Sequence, residues 1–387
     1  MQYRTFGKLD WKPSALGFGA MRLPTIDDDP AQIDEPTATR MVRYAIDHGV
    51  NYVDTAYPYH RENSERFLGR AMQDGYRERT KLATKLPCWK VEAAEDFDRL
   101  LDEQLEKLQT DHIDFYLLHS LNKNTWSKMR DLNVLRPAEG AIADGRIGHL
   151  GFSFHDKYEV FQEIIDASDL WTFCQIQYNY MDIDYQAGTK GLKYAAEKGL
   201  AVVVMEPLRG GRLTKSVPPP VQAIWDRAQA KRTPAEWALQ WVWNQPEVSL
   251  VLSGMSSMQH VEENVDSAGR SGAGSLTGEE LALYDQAREA YKTLSPIPCT
   301  DCKYCLPCPN GVNIPRVFEI YNDLMMYGDE RGAQMVYNNF LEAEARADNC
   351  IECGECLEKC PQNIEIPDWL AKVHEVLCKE EEESSTA

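Results

Sequence analysis

The chain has 387 residues, 43% of them hydrophobic and 26% charged, with a formal net charge of −20, a balance typical of a globular protein with material for a large core. So acidic a surface excludes nucleic acid and anionic membranes as expected partners, because both repel it. No run approaches the roughly 18 apolar residues of a membrane helix, and the opening Met1–Phe6 shows no apolar stretch after a basic start, so a cytoplasmic protein is expected.

The length suits two or three domains, or one large barrel with an appendage. From residue 15 to about 270, short apolar runs alternate with helix-like segments. Strands are expected at Leu16–Met21, Tyr52–Thr55, Leu82–Lys85, Phe115–His119, His149–Ser153, Phe173–Gln177, Ala201–Met205 and Leu250–Ser253. They are apolar on both faces, as strands covered on both sides should be. Between them, Ala93–Leu108 carries Phe97, Leu100, Leu101, Leu105 and Leu108 at helical spacing. Thr233 followed by Pro234 reads as a capped helix start leading into Trp237–Trp243. Eight such alternations predict an α/β fold, a (β/α)8 TIM barrel over residues 1–270. The alternative, an open doubly wound sheet, lacks a G-x-G-x-x-G after its first strand.

Residues 271–294 read as linker and helix, with small residues at Ser271–Ser275 and helical spacing over Gly278–Lys292. Ser295-Pro-Ile-Pro298 then leads into a region, 295–379, dominated by cysteine. Its first run is Cys299-x-x-Cys302-x-x-Cys305-x-x-Cys308-Pro309, and its second is Cys350-x-x-Cys353-x-x-Cys356-x-x-x-Cys360-Pro361. Three thiolates at this spacing wrap one face of a cubane cluster, and a fourth before proline ligates the neighbouring cluster. The second run matches that spacing in full, whereas the first is one residue short before Cys308. Zinc stops at four ligands and leaves a third evenly spaced cysteine in each run unexplained. A disulfide framework has no secretory context. Two 4Fe-4S clusters are therefore expected. The segment Pro315–Ala347 between the runs reads as helix, with Phe318, Ile320, Tyr321 and Leu324 as its apolar face. Residues 380–387 read as an acidic disordered tail.

In a TIM barrel the chemistry sits where strands end. The second strand runs into Asp54-Thr-Ala-Tyr57-Pro-Tyr59, the third ends at Lys85 and the fourth at His119. A lysine cation beside a tyrosine favours the phenolate and so eases proton donation. A carboxylate holds the lysine, and a histidine orients a carbonyl or relays its proton.

These motifs resemble the aldo-keto reductase superfamily over about two-thirds of the chain. The resemblance rests on Asp54-Thr-Ala-x-x-Tyr59 followed by Glu62-x-x-x-x-x-Leu68-Gly69, Thr84-Lys85, Leu117-Leu118-His119 and Gly151-Phe-Ser153. Gln175-Ile-Gln-Tyr-Asn179, Pro207-Leu208-x-Gly210-Gly211 and Glu262-Glu-Asn264 complete it. It implies a catalytic tetrad of Asp54, Tyr59, Lys85 and His119, with Tyr59 as general acid; Tyr57 is the rival, disfavoured by its offset from Asp54. It also implies NADP(H) or NAD(H) as cofactor. Ser153 and Gln175 would hold the nicotinamide amide, Met205 would lie against its ring, and Pro207, Leu208, Gly210, Gly254, His260 and Asn264 would follow the phosphates and adenosine.

Four positions depart from the family pattern. Phe154 stands where Asn is common, and Met205 replaces the aromatic that usually stacks on nicotinamide. Gly254 and His260 occupy positions where basic residues commonly grip a 2′-phosphate, a role that leaves Arg209 or Arg212 as substitutes.

The cysteine region resembles a two-cluster bacterial ferredoxin, and the fusion resembles the iron–sulfur aldo-keto reductases. That resemblance implies one cluster on Cys299, Cys302, Cys305 and Cys360 and the other on Cys350, Cys353, Cys356 and Cys308. Cys88, Cys174 and Cys378 remain over, Cys88 as a candidate wall of the substrate pocket. The implied activity is nicotinamide-linked reduction of a small carbonyl, or oxidation of an alcohol, assisted by electrons from a ferredoxin- or flavodoxin-like partner. Because clusters pass electrons singly and nicotinamide passes hydride, a flavin is a further candidate cofactor. The alternatives are a ferredoxin-linked electron-transfer enzyme whose barrel holds something else, and a non-catalytic redox-sensing subunit.

Overall fold

The computed structural model describes residues 1–27, 29–215, 217–299, 303–360 and 362–378. The tail expected at 380–387 and the cluster candidate Cys302 lie outside them. The chain forms two compact units: the first from residues 1–215 and 232–277, the second, of its described residues, from 217–231 and 278–378.

The first unit is a closed barrel of eight parallel strands in sequential order. These are β1 (Leu16–Gly19), β2 (Tyr52–Asp54), β3 (Lys81–Leu86), β4 (Ile113–Leu121), β5 (Ile147–Phe154), β6 (Trp171–Gln177), β7 (Ala201–Met205) and β8 (Val248–Gly254). All eight expected strands form. The first ends two residues early, where Ala20 N–H turns to donate to Asp54 O. The ring closes through the register of Leu16–Gly19 against Val251–Gly254.

Side chains alternate across each strand, and the inward set is visible in one core cluster of Tyr52, Ala83, Phe115, Phe173, Val203 and Leu250 with their inward neighbours. Gly17 and Gly151 belong to the same layers. A Cβ on Gly151 would lie 2.6 Å from the Phe173 ring, and one on Gly17 would lie 2.8 Å from Leu252. The aromatic ring and the leucine occupy the volume that those glycines leave. The N-terminal hairpin, bridged at Tyr3–Ser14 and Phe6–Leu9, drives Phe6 onto Phe115 and Phe173 at centroid distances of 4.9 and 5.7 Å. One end of the barrel is thereby plugged, and the inward residues at the other end are left to chemistry.

The helix expected at Ala93–Leu108 spans Asp96–Leu108, its Phe97, Leu100, Leu101 and Leu105 all buried. Thr233 caps Pro234–Trp243 by accepting from Glu236 N–H. Among the described residues no helix is long and apolar enough to cross a membrane.

In the second unit, Val317, Phe318 and Tyr321 share a core with Leu370, Val373 and Leu377 of the helix Ile366–Leu377. The single helix expected over Pro315–Ala347 does not form. The first piece, Ile314–Tyr327, stops at Gly328 in the left-handed conformation, a standard helix ending because glycine has no Cβ to clash. Asp329 then caps Glu330–Met335 by accepting from Gly332 N–H. The segment 217–231 contributes a short helix, Pro219–Trp225, whose Trp225 ring meets Tyr284 of the helix Gly278–Leu294 at 5.1 Å.

Candidate active site

Five inward rows carry a polar residue one alternation beyond the apolar layers: Tyr52 is followed by Asp54, Ala83 by Lys85, Leu117 by His119, Gly151 by Ser153 and Phe173 by Gln175, while Val203 is followed by Met205 and Leu252 by Gly254. Period-two geometry therefore collects these residues at the C-terminal mouth.

Lys85 is the hub. Its side chain is 1% exposed, and its Nζ donates to Asp54 Oδ1 at 2.7 Å, to Thr55 O at 2.7 Å and to Tyr59 OH at 3.4 Å. Burial favours loss of the proton, but Asp54 and Tyr59 outweigh it and hold the lysine above its ordinary range. The ammonium is therefore a fixed charge. Burial raises the Tyr59 hydroxyl above the usual tyrosine value; Lys85 pulls it down, while Asp54 and Glu206 push it up. The lysine makes Tyr59 more acidic than the site would otherwise allow, yet the net position keeps the phenol protonated and ready to donate. The rival Tyr57 faces elsewhere: it donates to Glu103 Oε1 at 3.0 Å, with the Lys107 ammonium 3.7 Å from its ring centre.

The His119 ring stands edge-on to Tyr59 at 6.3 Å and 5.3 Å from Trp89, which is 48% exposed. Burial, with Lys85 and His155 assisting, depresses the His119 imidazole well below its ordinary value, so it is neutral, and its Nδ1 has no partner. Trp89 faces the mouth, whereas Trp126 is a packing residue, buried against Trp171. Cys88 is buried, its Sγ 3.6 Å from Leu86 O, and burial pushes its thiol up to about 12. Cys174 is buried in β6, and burial raises its thiol as well.

Tyr59 is followed by three consecutive non-glycine residues in the left-handed region, His60, Arg61 and Glu62, with φ of 51°, 51° and 70°. Each costs on the order of 1–2 kcal/mol, so the turn persists only because its side chains are held. His60 Nε2 accepts from Leu23 N–H at 3.1 Å, and its Nδ1 lies 3.0 Å from Pro30 O. Glu62 pairs with Lys90 at 3.1 Å, and Asn63 Nδ2 donates to Ala31 O at 3.0 Å. Burial lowers the His60 imidazole, partly opposed by the carbonyls of Pro30 and Met21, and burial likewise lowers His149.

With His60, His119 and His149 all depressed, the unfolded chain binds protons first as pH falls. Their contribution to stability is complete above the ordinary histidine value of about 6.5 and is lost as pH drops below it, by up to about 1.4 kcal/mol per group per pH unit. Urea midpoints should fall between about pH 7.5 and 5.5, and His119→Asn should flatten that slope.

Sequence reasoning missed the support behind Lys85. Glu65 is 1% exposed; it accepts from Thr84 Oγ1 at 2.6 Å and from Gln104 Nε2, which also reaches Lys85 O at 3.1 Å. Burial raises the Glu65 carboxyl against the pull of Thr84 and Gln104. The available signal was an acid on the apolar face of the helix Ser64–Ala71, one turn before Leu68 and Gly69. Glu62, the acid singled out from the motif, is on the rim.

Of the residues expected to hold a dinucleotide, Ser153 Oγ accepts from Ser120 N–H at 2.7 Å, and Gln175 is 2% exposed with an unpartnered Oε1. A buried carbonyl without a donor suits an incoming amide N–H. Asn264 Nδ2 donates to Ser253 Oγ at 3.1 Å and so braces the end of β8. Pro207 is buried, Leu208 is partly so, and Gly210 takes a φ of 67°. His260 is exposed on the rim beside Ser256.

In the second unit, Cys305, Cys308, Cys350, Cys353 and Cys356 line one cavity with Pro309 and Ile351. Burial raises the Cys356 thiol, and the charges of Cys350, Cys353 and Cys308 add to that rise. Two thiols of the first run, Cys305 and Cys308, thus line the same cavity as three of the second, the mixing that ligation across the runs calls for. Cys299 and Cys360 pack against the same core. Cys378 also packs against it, and nothing in the structure gives it a chemical role.

Two family models match the chain: the Aldo/keto reductase family over residues 15–288 and the 4Fe-4S dicluster domain over residues 298–365. The chain is 26% identical over 314 residues to L-galactose dehydrogenase of Arabidopsis thaliana, covering 76% of this chain and 97% of that protein. It is 26% identical over 284 residues to 6-dehydroglucose reductase of Novosphingobium aromaticivorans, covering 68% and 89%. Among solved structures it resembles the holo form of aldo-keto reductase AKR11C1 from Bacillus halodurans, with TM-score 0.62 and 26% identity over 74% of this chain and 96% of that one. It also resembles an aldo-keto reductase from Klebsiella pneumoniae in complex with NADPH, with TM-score 0.60 and 27% identity over 74% and 95%.

Proposed function

The chain belongs to the aldo/keto reductase family and carries a 4Fe-4S dicluster domain, and on that premise we propose that it is a nicotinamide-dependent carbonyl reductase, able in reverse to oxidise an alcohol. The observation that carries this reading is Lys85, buried between Asp54 and the Tyr59 hydroxyl at the mouth of the barrel. When bound, reduced nicotinamide supplies a hydride to the carbonyl carbon, and the clusters supply or accept single electrons. Tyr59 donates its proton to the carbonyl oxygen, and Lys85 stabilises the phenolate that remains. Asp54 holds Lys85 in place. Neutral His119, edge-on to Tyr59, offers its Nε2 to the same oxygen and aligns it. Gln175 and Ser153 would hold the carboxamide, which turns one face of the ring toward the substrate. Trp89 forms an apolar wall at the entrance and excludes water from the reacting carbon.

Cys350, Cys353, Cys356 and Cys308 would hold one cluster, and Cys299, Cys302, Cys305 and Cys360 the other, with a ferredoxin- or flavodoxin-like protein as electron partner. Cys308→Ser should therefore remove the cluster built on the second run, leaving about half the iron and one electron-paramagnetic signal after reduction. Loss of the other signal would overturn this ligand set.

The reading as a whole is tested by mixing anaerobically purified protein with NADPH or NADH and a panel of aldehydes and ketones, then following nicotinamide oxidation and product. Saturable turnover with at least one carbonyl is expected. No nicotinamide binding and no turnover across the panel would sink it.

A further inference from the structure

We infer that Tyr57 is a positioning residue for the substrate wall: through Lys90 it holds Trp89 against His119, and this favours carbonyls bearing an aromatic group over short aliphatic ones. The inference rests on the reading above, in which the carbonyl lies among Tyr59, His119 and Trp89.

Tyr57 is 4% exposed, and it belongs to a closed ring of five side chains. Lys90 Nζ donates to Tyr57 OH and to Glu62 Oε1, both at 3.1 Å. Tyr57 OH in turn donates to Glu103 Oε1 at 3.0 Å. Lys107 Nζ lies 2.7 Å from the same Glu103 oxygen and 3.6 Å from Glu62 Oε2, which closes the ring. Two ammonium groups face two carboxylates, so the ring carries no net charge. The phenol suits its place because one hydroxyl can accept from Lys90 while donating to Glu103. Lys107 also lies 3.7 Å from the centre of the Tyr57 ring, a cation–π contact that fixes the aromatic plane.

Three segments meet in this ring. Tyr57 and Glu62 stand on either side of Tyr59 in the turn after β2. Lys90 ends the single 3-10 turn Cys88–Lys90 after β3, and Glu103 and Lys107 belong to the helix Asp96–Leu108. That helix is the fixed support, since its apolar face is buried. The 3-10 turn is held at its start by buried Cys88 and at its end by Lys90, with exposed Trp89 between them. Two held neighbours set the direction of the residue they flank, and the Trp89 indole is thereby kept 5.3 Å from the His119 ring at an angle of 52°.

The Lys90–Glu62 pair does not achieve this by itself. Its side chains are 40% and 44% exposed, and an ion pair so open to water contributes little. Tyr57 is the buried member that gives Lys90 a fixed partner. Its hydroxyl is also the largest influence holding the Lys90 ammonium above its ordinary range, ahead of Glu62. Tyr57 thus decides whether Lys90 is held, and Lys90 decides where Trp89 stands. An indole kept at one tilt offers an aromatic substrate a stacked or edge-on contact that a short alkyl chain cannot make.

The test is steady-state reduction of benzaldehyde and of propanal by the full-length protein at saturating reduced nicotinamide, with urea midpoints confirming that each variant is folded. Tyr57→Phe keeps the buried ring and removes only the hydroxyl. It should raise KM for benzaldehyde about 3- to 10-fold, the worth of one aromatic contact, and leave kcat for both aldehydes and KM for propanal within about 2-fold. Lys90→Met, at the exposed side of the ring, should do the same whether or not Tyr57→Phe folds, and Lys90→Arg should recover part of the loss. Trp89→Ala should lose the same selectivity, and adding Tyr57→Phe to it should change the benzaldehyde KM by less than about 2-fold. With 5-fluorotryptophan incorporated, the fluorine resonance of Trp89, assigned by its loss in Trp89→Phe, should shift in Tyr57→Phe and in Lys90→Met. An unmoved resonance, additive effects of Tyr57→Phe and Trp89→Ala, or an equal fall in kcat for both aldehydes would overturn the inference and make the ring a brace of the fold. Normal wild-type turnover with unchanged KM in both variants overturns the selectivity alone. No turnover of any carbonyl by the wild type overturns the reductase reading, and the selectivity with it.

Discussion

Tyr59→Phe should lower the rate of carbonyl reduction by about 10²- to 10⁴-fold, the range for losing a positioned general acid, while leaving dinucleotide affinity within a few-fold. The substitution removes one oxygen, and among the described contacts that oxygen is bonded to Lys85, so the fold should be nearly indifferent to it. The loss should fall on kcat, because the proton is transferred only as the carbonyl carbon is reduced. The pH dependence follows from the sign of the shift. Burial raises the Tyr59 hydroxyl above its ordinary value of about 10, and reduction needs the protonated form. Reduction should therefore be level through neutral pH and decline only in strong alkali, whereas alcohol oxidation, which needs the phenolate, should climb with pH. Neutral His119 should add no inflection near pH 6.5. A variant that kept its rate, or a reduction profile with a step in the histidine range, would assign the proton to another group.

Lys85→Met should be the most damaging substitution to the barrel itself. It leaves the Asp54 carboxylate buried beside an apolar side chain, with Oδ2 already lacking a partner, and it strips Thr55 O of its donor. Breaking a buried pair from one side costs about 3–5 kcal/mol, because the remaining charge has no compensation. The double variant Asp54→Asn with Lys85→Met removes both charges and should recover a substantial part of that loss, although it remains inactive. Urea denaturation of the two single variants and the double gives the coupling directly. If Lys85→Met cost less than about 1 kcal/mol, the ion pair would be better solvated than its burial indicates. Activity should be lost in every member of the cycle that lacks Lys85, since Tyr59 then keeps the raising effects of burial and Glu206 without the opposing cation.

Much of the barrel could be read in advance, because buried parallel strands write themselves as short apolar runs. All eight runs became strands, and Asp54, Lys85 and His119 were identifiable as polar residues closing such runs. The choice of Tyr59 over Tyr57 followed from motif spacing; the fold then separates them by turning Tyr57 onto Glu103 and Lys107 and leaving Tyr59 beside Lys85. The error at Pro315–Ala347 was also local in origin. A helical pattern of apolar residues runs past Gly328, but Gly328-Asp329 is a C-cap followed by an N-cap, and that pair of signals outweighs the periodicity.

The sequence by itself determined whatever depends on neighbours along the chain: strand and helix periodicity, the polar residues that end five of the inward rows, and the cysteine spacing. Only the tertiary structure decided what depends on approach across the chain. The stem of Arg22 over Gly254, Glu65 against Thr84 and Gln104, and Cys305 and Cys308 in one cavity with Cys350, Cys353 and Cys356 join segments far apart in sequence. Such contacts follow from barrel closure, strand register and the turns that strands and helices impose, and an isolated arginine, glutamate or cysteine carries no local pattern from which its distant neighbour could be named.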